Sequence, residues 1–144
     1  MSEIVFYVPG QPQGKGRPRV GRIAGHARMF TPSKTAAYEG LIALAGRQAM
    51  AGAAPLLGPV EIEVLAICSV PSSWSKRKQA DALAGRVRPT GKPDADNVLK
   101  AVCDGLNEVA FKDDAQAVSV KLTKCYGEKP SLCVRVRPIG GCLL

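Results

Sequence analysis

Two pairs of aspartates stand out in the second half of the sequence. Asp94 and Asp96 lie two residues apart, where a helix is predicted to begin after Pro93, and Asp113 and Asp114 lie in a predicted turn. Carboxylate oxygens are the ligands that Mg²⁺ prefers, and one or two suffice when water and a substrate phosphate complete the coordination. A metal held in this way lowers the pKa of a bound water and polarises a phosphoryl group. The pattern therefore indicates metal-assisted hydrolysis of a phosphate ester.

Each pair also has a structural interpretation. Asp94 can be the N-cap of the helix and Asp96 a first-turn acid that suits the helix dipole. Asp113 and Asp114 can be ordinary turn residues. Four carboxylates are harder to explain in this way in a chain of net charge +8. Clustered acids on a surface that docks a polyanion are costly unless a cation bridges them.

Lys100 lies one turn beyond Asp96 on the same predicted helix face. There it can contact the scissile phosphate, stabilise its developing charge or orient the attacking water. The alternative is an i,i+4 ion pair with Asp96 or Asp104. His26 is the only histidine, so a histidine-based triad or zinc site has little to build with.

The charge of the chain indicates a polyanionic partner, with nucleic acid as the first candidate. Twenty Lys and Arg against twelve Asp and Glu give a net charge of +8 and a pI near 9.5. No acid lies between Glu3 and Glu39, and only Asp81 interrupts a second basic stretch at 76–92. The predicted DNA contacts are Lys15, Arg17, Arg19, Arg22, Arg28, Lys76, Arg77, Lys78 and Lys92.

Hydrophobic spacing predicts the elements that must position these residues. The first half of the chain is predicted to contain a strand at 4–8, a mobile basic loop at 10–30, a helix at 34–50 capped by Thr31 or Ser33, and an interior strand at 60–68. A short helix that carries Lys76 to Lys78 follows, and then a helix after Pro93 with its core stripe at Leu99, Val102, Cys103 and Leu106. The last predicted element is a hairpin of strands at 118–125 and 132–137. The order β-α-β-α-α-β-β favours one α+β domain over residues 1–144, with helices packed on a mixed sheet.

The remaining composition indicates a cytoplasmic protein with no membrane partner. The five cysteines lack the spacing of a zinc site, and we expect most of them to be reduced and buried. No apolar run approaches the about 18 residues that span a bilayer.

Three blocks of the sequence resemble the RusA endodeoxyribonucleases, which resolve Holliday junctions in bacteria and their phages. They are VPGQPQGKGRPR leading to FTPSKTAAYE, then KPDADNVLKAVCDGLN, then FKDDAQAV, and together they cover most of the chain. The resemblance implies that Asp94 and Asp96 are the first two catalytic acids and metal ligands, and that Asp114 is the third. It also implies that Lys100 is the essential lysine and that Asp113 is a companion acid at the metal.

The resemblance further implies a homodimer, of a phage or prophage type, that binds four-way DNA junctions. Such an enzyme makes paired nicks with Mg²⁺, for which Mn²⁺ can substitute, and prefers cytosine-rich steps. Ala117 stands where the family usually has a larger apolar residue, and the early loop is longer and more basic, so junction preference is expected to differ. Two alternatives remain open: a non-catalytic DNA-binding or junction-binding protein, and a metal-dependent nuclease for flaps, forks or RNA.

Overall fold

The computed structural model describes residues 3–16, 19–23, 25–30 and 33–140. In chain order the elements are β1 (Ile4–Pro9), β2 (Arg19–Ile23), β3 (His26–Phe30), α1 (Ser33–Met50), β4 (Val60–Ser69), α2 (Lys76–Leu83), α3 (Ala95–Leu106), a 3₁₀ turn (Asp114–Gln116), β5 (Ala117–Gly127) and β6 (Ser131–Pro138). The predicted α+β class and the order of the long elements are confirmed.

A four-stranded mixed sheet is the centre of the fold, in the order β1-β6-β4-β5. β4 runs parallel to β5 and antiparallel to β6, which in turn runs antiparallel to β1. Every second residue of β4, from Val60 to Cys68, is buried on the helix-covered face of the sheet. The predicted interior position of β4 is therefore confirmed.

The predicted hairpin of the last two strands is wrong. β5 and β6 are joined by residues 128–130, yet β4 lies between them, so that Leu65 pairs with Thr123 on one side and with Cys133 on the other. Turn residues show that a chain reverses its direction, but they do not show whether another strand lies between the two strands that the turn connects. A short connection can bridge two strand spacings, about 10 Å, over the end of a third strand.

The basic segment at 10–30 is more regular than its composition indicates. β2 and β3 form an antiparallel two-stranded sheet in which Arg19 pairs with Phe30 and Ile23 with His26. Gly25 in the connection has φ +81°, a conformation that glycine adopts readily. The prediction of a loop without regular structure is therefore wrong for these strands, because Gly21 and the scattered arginines obscure the period-two pattern.

Helix α1 begins at Ser33 and ends at Met50, which confirms the predicted helix. Ser33 is its first residue rather than its cap, and Thr31 lies outside the described residues. None of the helices in the described ranges is long and apolar enough to cross a membrane.

Helices α1 and α3 pack closely because two glycines lie in their contact. A Cβ atom on Gly105 would lie 2.9 Å from the Cβ of Ile42, and one on Gly46 would lie 2.7 Å from Cδ2 of Leu106. A larger residue at Gly105 would push the helices apart, whereas one at Gly46 would displace the end of the Leu106 side chain. This packing fixes α3, whose first turn carries the first acid pair.

The cysteines partly match their prediction. Cys68 and Cys103 are buried free thiols, whereas Cys125 and Cys133 are free but only partly buried. Cys142 lies outside the described residues.

Candidate metal site and nucleic-acid cleft

Asp94 occupies the N-cap position of α3 without acting as a side-chain cap. Its backbone carbonyl accepts from the Val98 N–H at 3.0 Å, but its carboxylate makes no capping hydrogen bond. Asp94 and Asp96 are both exposed. Within the described part of the chain, neither carboxylate accepts a hydrogen bond or forms an ion pair. The oxygens of both acids are thus available to an external ligand.

The segment that leads into Asp94 is held by a residue that sequence reasoning missed. The ammonium of Lys124 donates to the carbonyl oxygen of Gly91 at 2.8 Å and to that of Pro93 at 2.9 Å. Lys124 pairs in register with Ala66, a buried residue of the helix-covered face. A lysine at a position that faces the helix-covered side of a half-buried strand is a sequence feature that could have revealed this contact.

Lys100 is exposed on α3, and the structure does not support its structural alternative. Among the described side chains, no acid forms an ion pair with Lys100, and Asp104 pairs with Lys15 instead. The predicted catalytic role of Lys100 remains a prediction, with its ammonium available to a ligand on the exposed face of α3.

Asp113 has a defined structural role at the 3₁₀ turn. Its carboxylate accepts from the Ala115 N–H at 3.2 Å, while Oε1 of Gln116 accepts from the backbone N–H groups of Asp113 and Lys112 at 3.1 and 2.9 Å. This is a reciprocal capping box. The predicted role of Asp113 at a metal therefore competes with capping.

Gln116 is a second residue whose role the sequence did not reveal. Its Nε2 donates to the carbonyl oxygens of Leu56 and Gly58, both at 2.9 Å. The same side chain thus closes the capping box and ties the 3₁₀ turn to the segment before β4. The Asp-Asp-x-Gln spacing of the sequence has a structural basis in these bonds.

Asp114 is exposed and is the first residue of the 3₁₀ turn. Burial, followed by the negative charges of Asp114 and Asp104, raises the pKa of the Cys103 thiol to about 11. The carboxylate of Asp114 has no hydrogen bond or ion pair with the described residues.

The described residues do not form a ready-made metal cage. In residues 3–16, 19–23, 25–30 and 33–140, no three His, Cys, Asp or Glu side chains are grouped closely enough to hold a metal ion. Asp94 and Asp96 share one helix turn, but the structure does not group Asp114 with them. Their hard carboxylate oxygens nevertheless fit Mg²⁺, which keeps several waters and often binds through only one or two carboxylates plus substrate phosphate.

A cleft of about 830 Å³ opens beside the first acid pair. It lies between the segment at 11–16 and the segment at 92–97, and Asp94 is part of its wall. Its charged lining consists of Lys15, Lys34, Lys92 and Asp94. Lys34 and Lys92, which form no ion pair among the described residues, make this a groove that attracts phosphate, and Asp94 presents a metal-binding oxygen to it.

The predicted DNA contacts fall into several groups. Lys76, Arg77 and Lys78 are exposed on α2, where the Lys78 ammonium lies 3.9 Å from the centre of the Trp74 ring. Lys92 is exposed in the cleft wall, while Lys15 is paired with acids of the protein itself. Arg17 lies outside the described residues, and Arg19, Arg22 and Arg28 lie on β2 and β3, where the structure describes the backbone only.

Comparison with known proteins adds a family match. A family model described as "Endodeoxyribonuclease RusA" matches residues 9–137, a range that contains the cleft, both acid pairs and Lys124. The Bacillus subtilis (strain 168) protein described as "Uncharacterized protein YqaN" is 38% identical over 141 residues, which is 96% of this chain and 99% of that relative.

Proposed function

The chain belongs to the RusA endodeoxyribonuclease family, and we propose that it is a magnesium-dependent, structure-selective nuclease that resolves Holliday junctions in DNA recombination and repair. The observation that carries the proposal is the Asp94–Asp96 pair. Both carboxylates are exposed, neither has a partner among the described residues, and Asp94 forms part of the wall of a lysine-lined cleft. We place this activity in the cytoplasm.

In the proposed mechanism, a DNA strand lies in the cleft. Lys34 and Lys92 neutralise backbone phosphates there, and Asp94 and Asp96 would hold Mg²⁺ against the scissile phosphate. When bound, Mg²⁺, or Mn²⁺ in its place, would supply Lewis acidity and would lower the pKa of a water. Lys100, exposed one turn beyond Asp96, stabilises charge on the phosphoryl oxygens.

Asp114 is proposed as the third catalytic acid, since it matches the family motif and its carboxylate has no partner among the described residues. Asp113 is its companion, with a carboxylate that also caps the 3₁₀ turn. Two opposing strands must be nicked to resolve a junction. We therefore propose a homodimer whose two-fold axis matches that of the four-way DNA.

Strand cleavage of a labelled four-way junction tests the proposal. Linear duplex, single strands, flaps, forks and RNA serve as competing substrates, each with Mg²⁺ or with EDTA, and a sedimentation experiment measures the oligomeric state. Symmetric nicks confined to the junction, and absent with EDTA, are expected. If a flap, fork or RNA is cleaved faster than the junction, that molecule replaces the Holliday junction as the proposed substrate. Tight junction binding without cleavage under any metal would favour a non-catalytic DNA-binding protein.

A further inference from the structure

Three charged side chains from three segments meet beside the cleft. The ammonium of Lys15 hydrogen-bonds to Oδ2 of Asp104 on α3 and lies 3.5 Å from Oε2 of Glu39 on α1. All three side chains are partly buried, with exposed fractions of 26%, 34% and 20%. Oε2 of Glu39 is buried and hydrogen-bonds to no described group. Lys15 therefore supplies the positive charge that compensates two acids of the protein.

The main chain around Lys15 is fixed to the same two helices. The Lys15 N–H donates to the carbonyl oxygen of Asn97 at 3.0 Å, and the Gly16 N–H donates to Oγ1 of the buried Thr35 at 2.8 Å. Gly14 is in close contact with α3, because a Cβ atom there would lie 2.8 Å from the Cβ of Asn97. Residues 14–16 are thus attached to α3 and to the start of α1 by both backbone and side-chain contacts.

These contacts lie at the base of a basic hairpin, the segment between Gly16 and Thr35. The chain leaves at Gly16, returns at Thr35, and the two residues are hydrogen-bonded to each other. The basic hairpin contains β2 and β3, and its sequence includes several basic residues and no acid. Bringing the two ends of such a segment together costs conformational entropy, and contacts at the base offset this cost and restrict the position of the hairpin.

We propose that Lys15 is a positioning residue, which together with Asp104 and Glu39 locks the base of this basic hairpin onto α1 and α3 and does not itself contact phosphate. The inference rests on the proposed function and adds to it that this hairpin, whose base at residues 14–16 lines the same cleft as Asp94, grips DNA. It differs from the prediction made from charge alone, which counted Lys15 among the DNA contacts.

Charge balance supports a lock over a phosphate contact. One ammonium facing two carboxylates leaves the group with a net charge of −1, which repels a phosphate. The hydrogen bond to Asp104 is also the main cause of the raised pKa of Lys15. Lys34 and Lys92 form no ion pair among the described residues and line the same cleft, so they are better placed to meet DNA.

A charge swap distinguishes the two roles. We expect Lys15→Glu and Asp104→Lys each to slow junction cleavage by about tenfold, and the double variant to recover most of that loss, since contacting residues couple in this way. If Lys15 contacts phosphate, Asp104→Lys will strengthen DNA binding and the double variant will remain as slow as Lys15→Glu. Lys34→Glu is the matched control, because Asp104→Lys should not rescue it.

Limited trypsin digestion of the DNA-free protein tests the lock without any nuclease assay. The bonds after Arg19, Arg22 and Arg28 should be cut about fivefold faster in each single variant and at the wild-type rate in the double variant. Equal digestion rates in all variants would overturn the lock even if cleavage of DNA is lost. If the wild-type protein cuts no junction but the double variant regains its resistance to trypsin, the lock is supported and the proposed activity is rejected. Lys15→Gln, a milder change, replaces Lys15→Glu if that variant does not fold.

Discussion

The ammonium of Lys124 donates to the carbonyl oxygen of Pro93 at 2.9 Å, so a residue of β5 fixes the backbone immediately before the first acid of the candidate site. A second bond, to the Gly91 carbonyl at 2.8 Å, holds the same segment two residues earlier. The backbone of Asp94, at the N-cap position of α3, therefore follows a fixed point rather than a free loop. This relationship connects the sheet directly to the position of the Asp94 carboxylate.

Replacing Lys124 with Met should weaken metal binding by about tenfold, because a misplaced supporting contact commonly costs that much in metal affinity. Lys124→Arg should recover part of the loss, since a guanidinium can also donate to two carbonyls. Titration with Mn²⁺, followed by electron paramagnetic resonance, measures the affinity without a cleavage assay. Lys121→Met, an exposed residue of the same strand, is the control. Unchanged Mn²⁺ affinity in Lys124→Met would show that the bonds to Gly91 and Pro93 only stabilise the loop.

Asp96→Asn should reduce junction cleavage by about 100-fold or more, while junction affinity measured in EDTA stays the same. The amide keeps the shape of the side chain but removes the charge that the proposed ion requires. Single-turnover cleavage and a gel-shift titration measure the two quantities. Asp81→Asn, which removes the ion pair between Asp81 on α2 and Arg86 beyond the end of that helix, is the matched control and should cleave normally. Equal loss in both variants would remove Asp96 from the proposed chemistry.

Local periodicity accounts for what could be predicted of the fold and of the site. The stripe at Val102 and Leu106 is buried and the acids of the first turn are exposed, as the spacing along α3 requires. The interior position of β4 followed from apolar residues on both of its faces. These signals lie within one element, and the sequence alone is sufficient to detect them.

Contacts between distant segments could not be predicted in this way. Lys15 is 89 residues from Asp104, and Gln116 is 60 residues from Leu56, so no spacing rule connects either pair. The same limit explains the wrong hairpin, since the partner that separates β5 from β6 is β4, much earlier in the chain. The four strands of the main sheet could be predicted, whereas β2, β3 and the order of the strands could not, because order depends on which distant surfaces pack together.

Gln116→Ala should lower the free energy of unfolding by about 1–3 kcal/mol, because it removes four hydrogen bonds to the backbone, one of which is the partly buried bond to the Leu56 carbonyl. The affected groups are the carbonyls of Leu56 and Gly58 and the N–H groups at the 3₁₀ turn. Urea unfolding followed by circular dichroism measures the change. Gln48→Ala, an exposed position on α1, should cost much less. Equal stability of the two variants would mean that water replaces the bonds of Gln116 at no cost.

Alkaline pH should destabilise the protein in part through Tyr38. Burial raises the pKa of its hydroxyl from 10.0 to about 12 in the folded chain. Because the folded pKa is the higher one, the contribution of Tyr38 to stability is fully present below pH 10 and is lost as the pH rises toward 12. Tyr7 is exposed and Tyr126 is half-buried, so we expect a late step in the tyrosinate absorbance at 295 nm to belong to Tyr38.

Tyr38→Phe should remove that late step and should reduce the fall in unfolding free energy between pH 10 and 12. The comparison uses urea unfolding at several pH values, because the absorbance step alone does not separate local ionisation from global unfolding. Tyr7→Phe is the control and should leave the late step unchanged, since the side chain of Tyr7 is 67% exposed. A late step that persists in Tyr38→Phe would show that another tyrosine titrates there and that Tyr38 does not govern the loss of stability at alkaline pH.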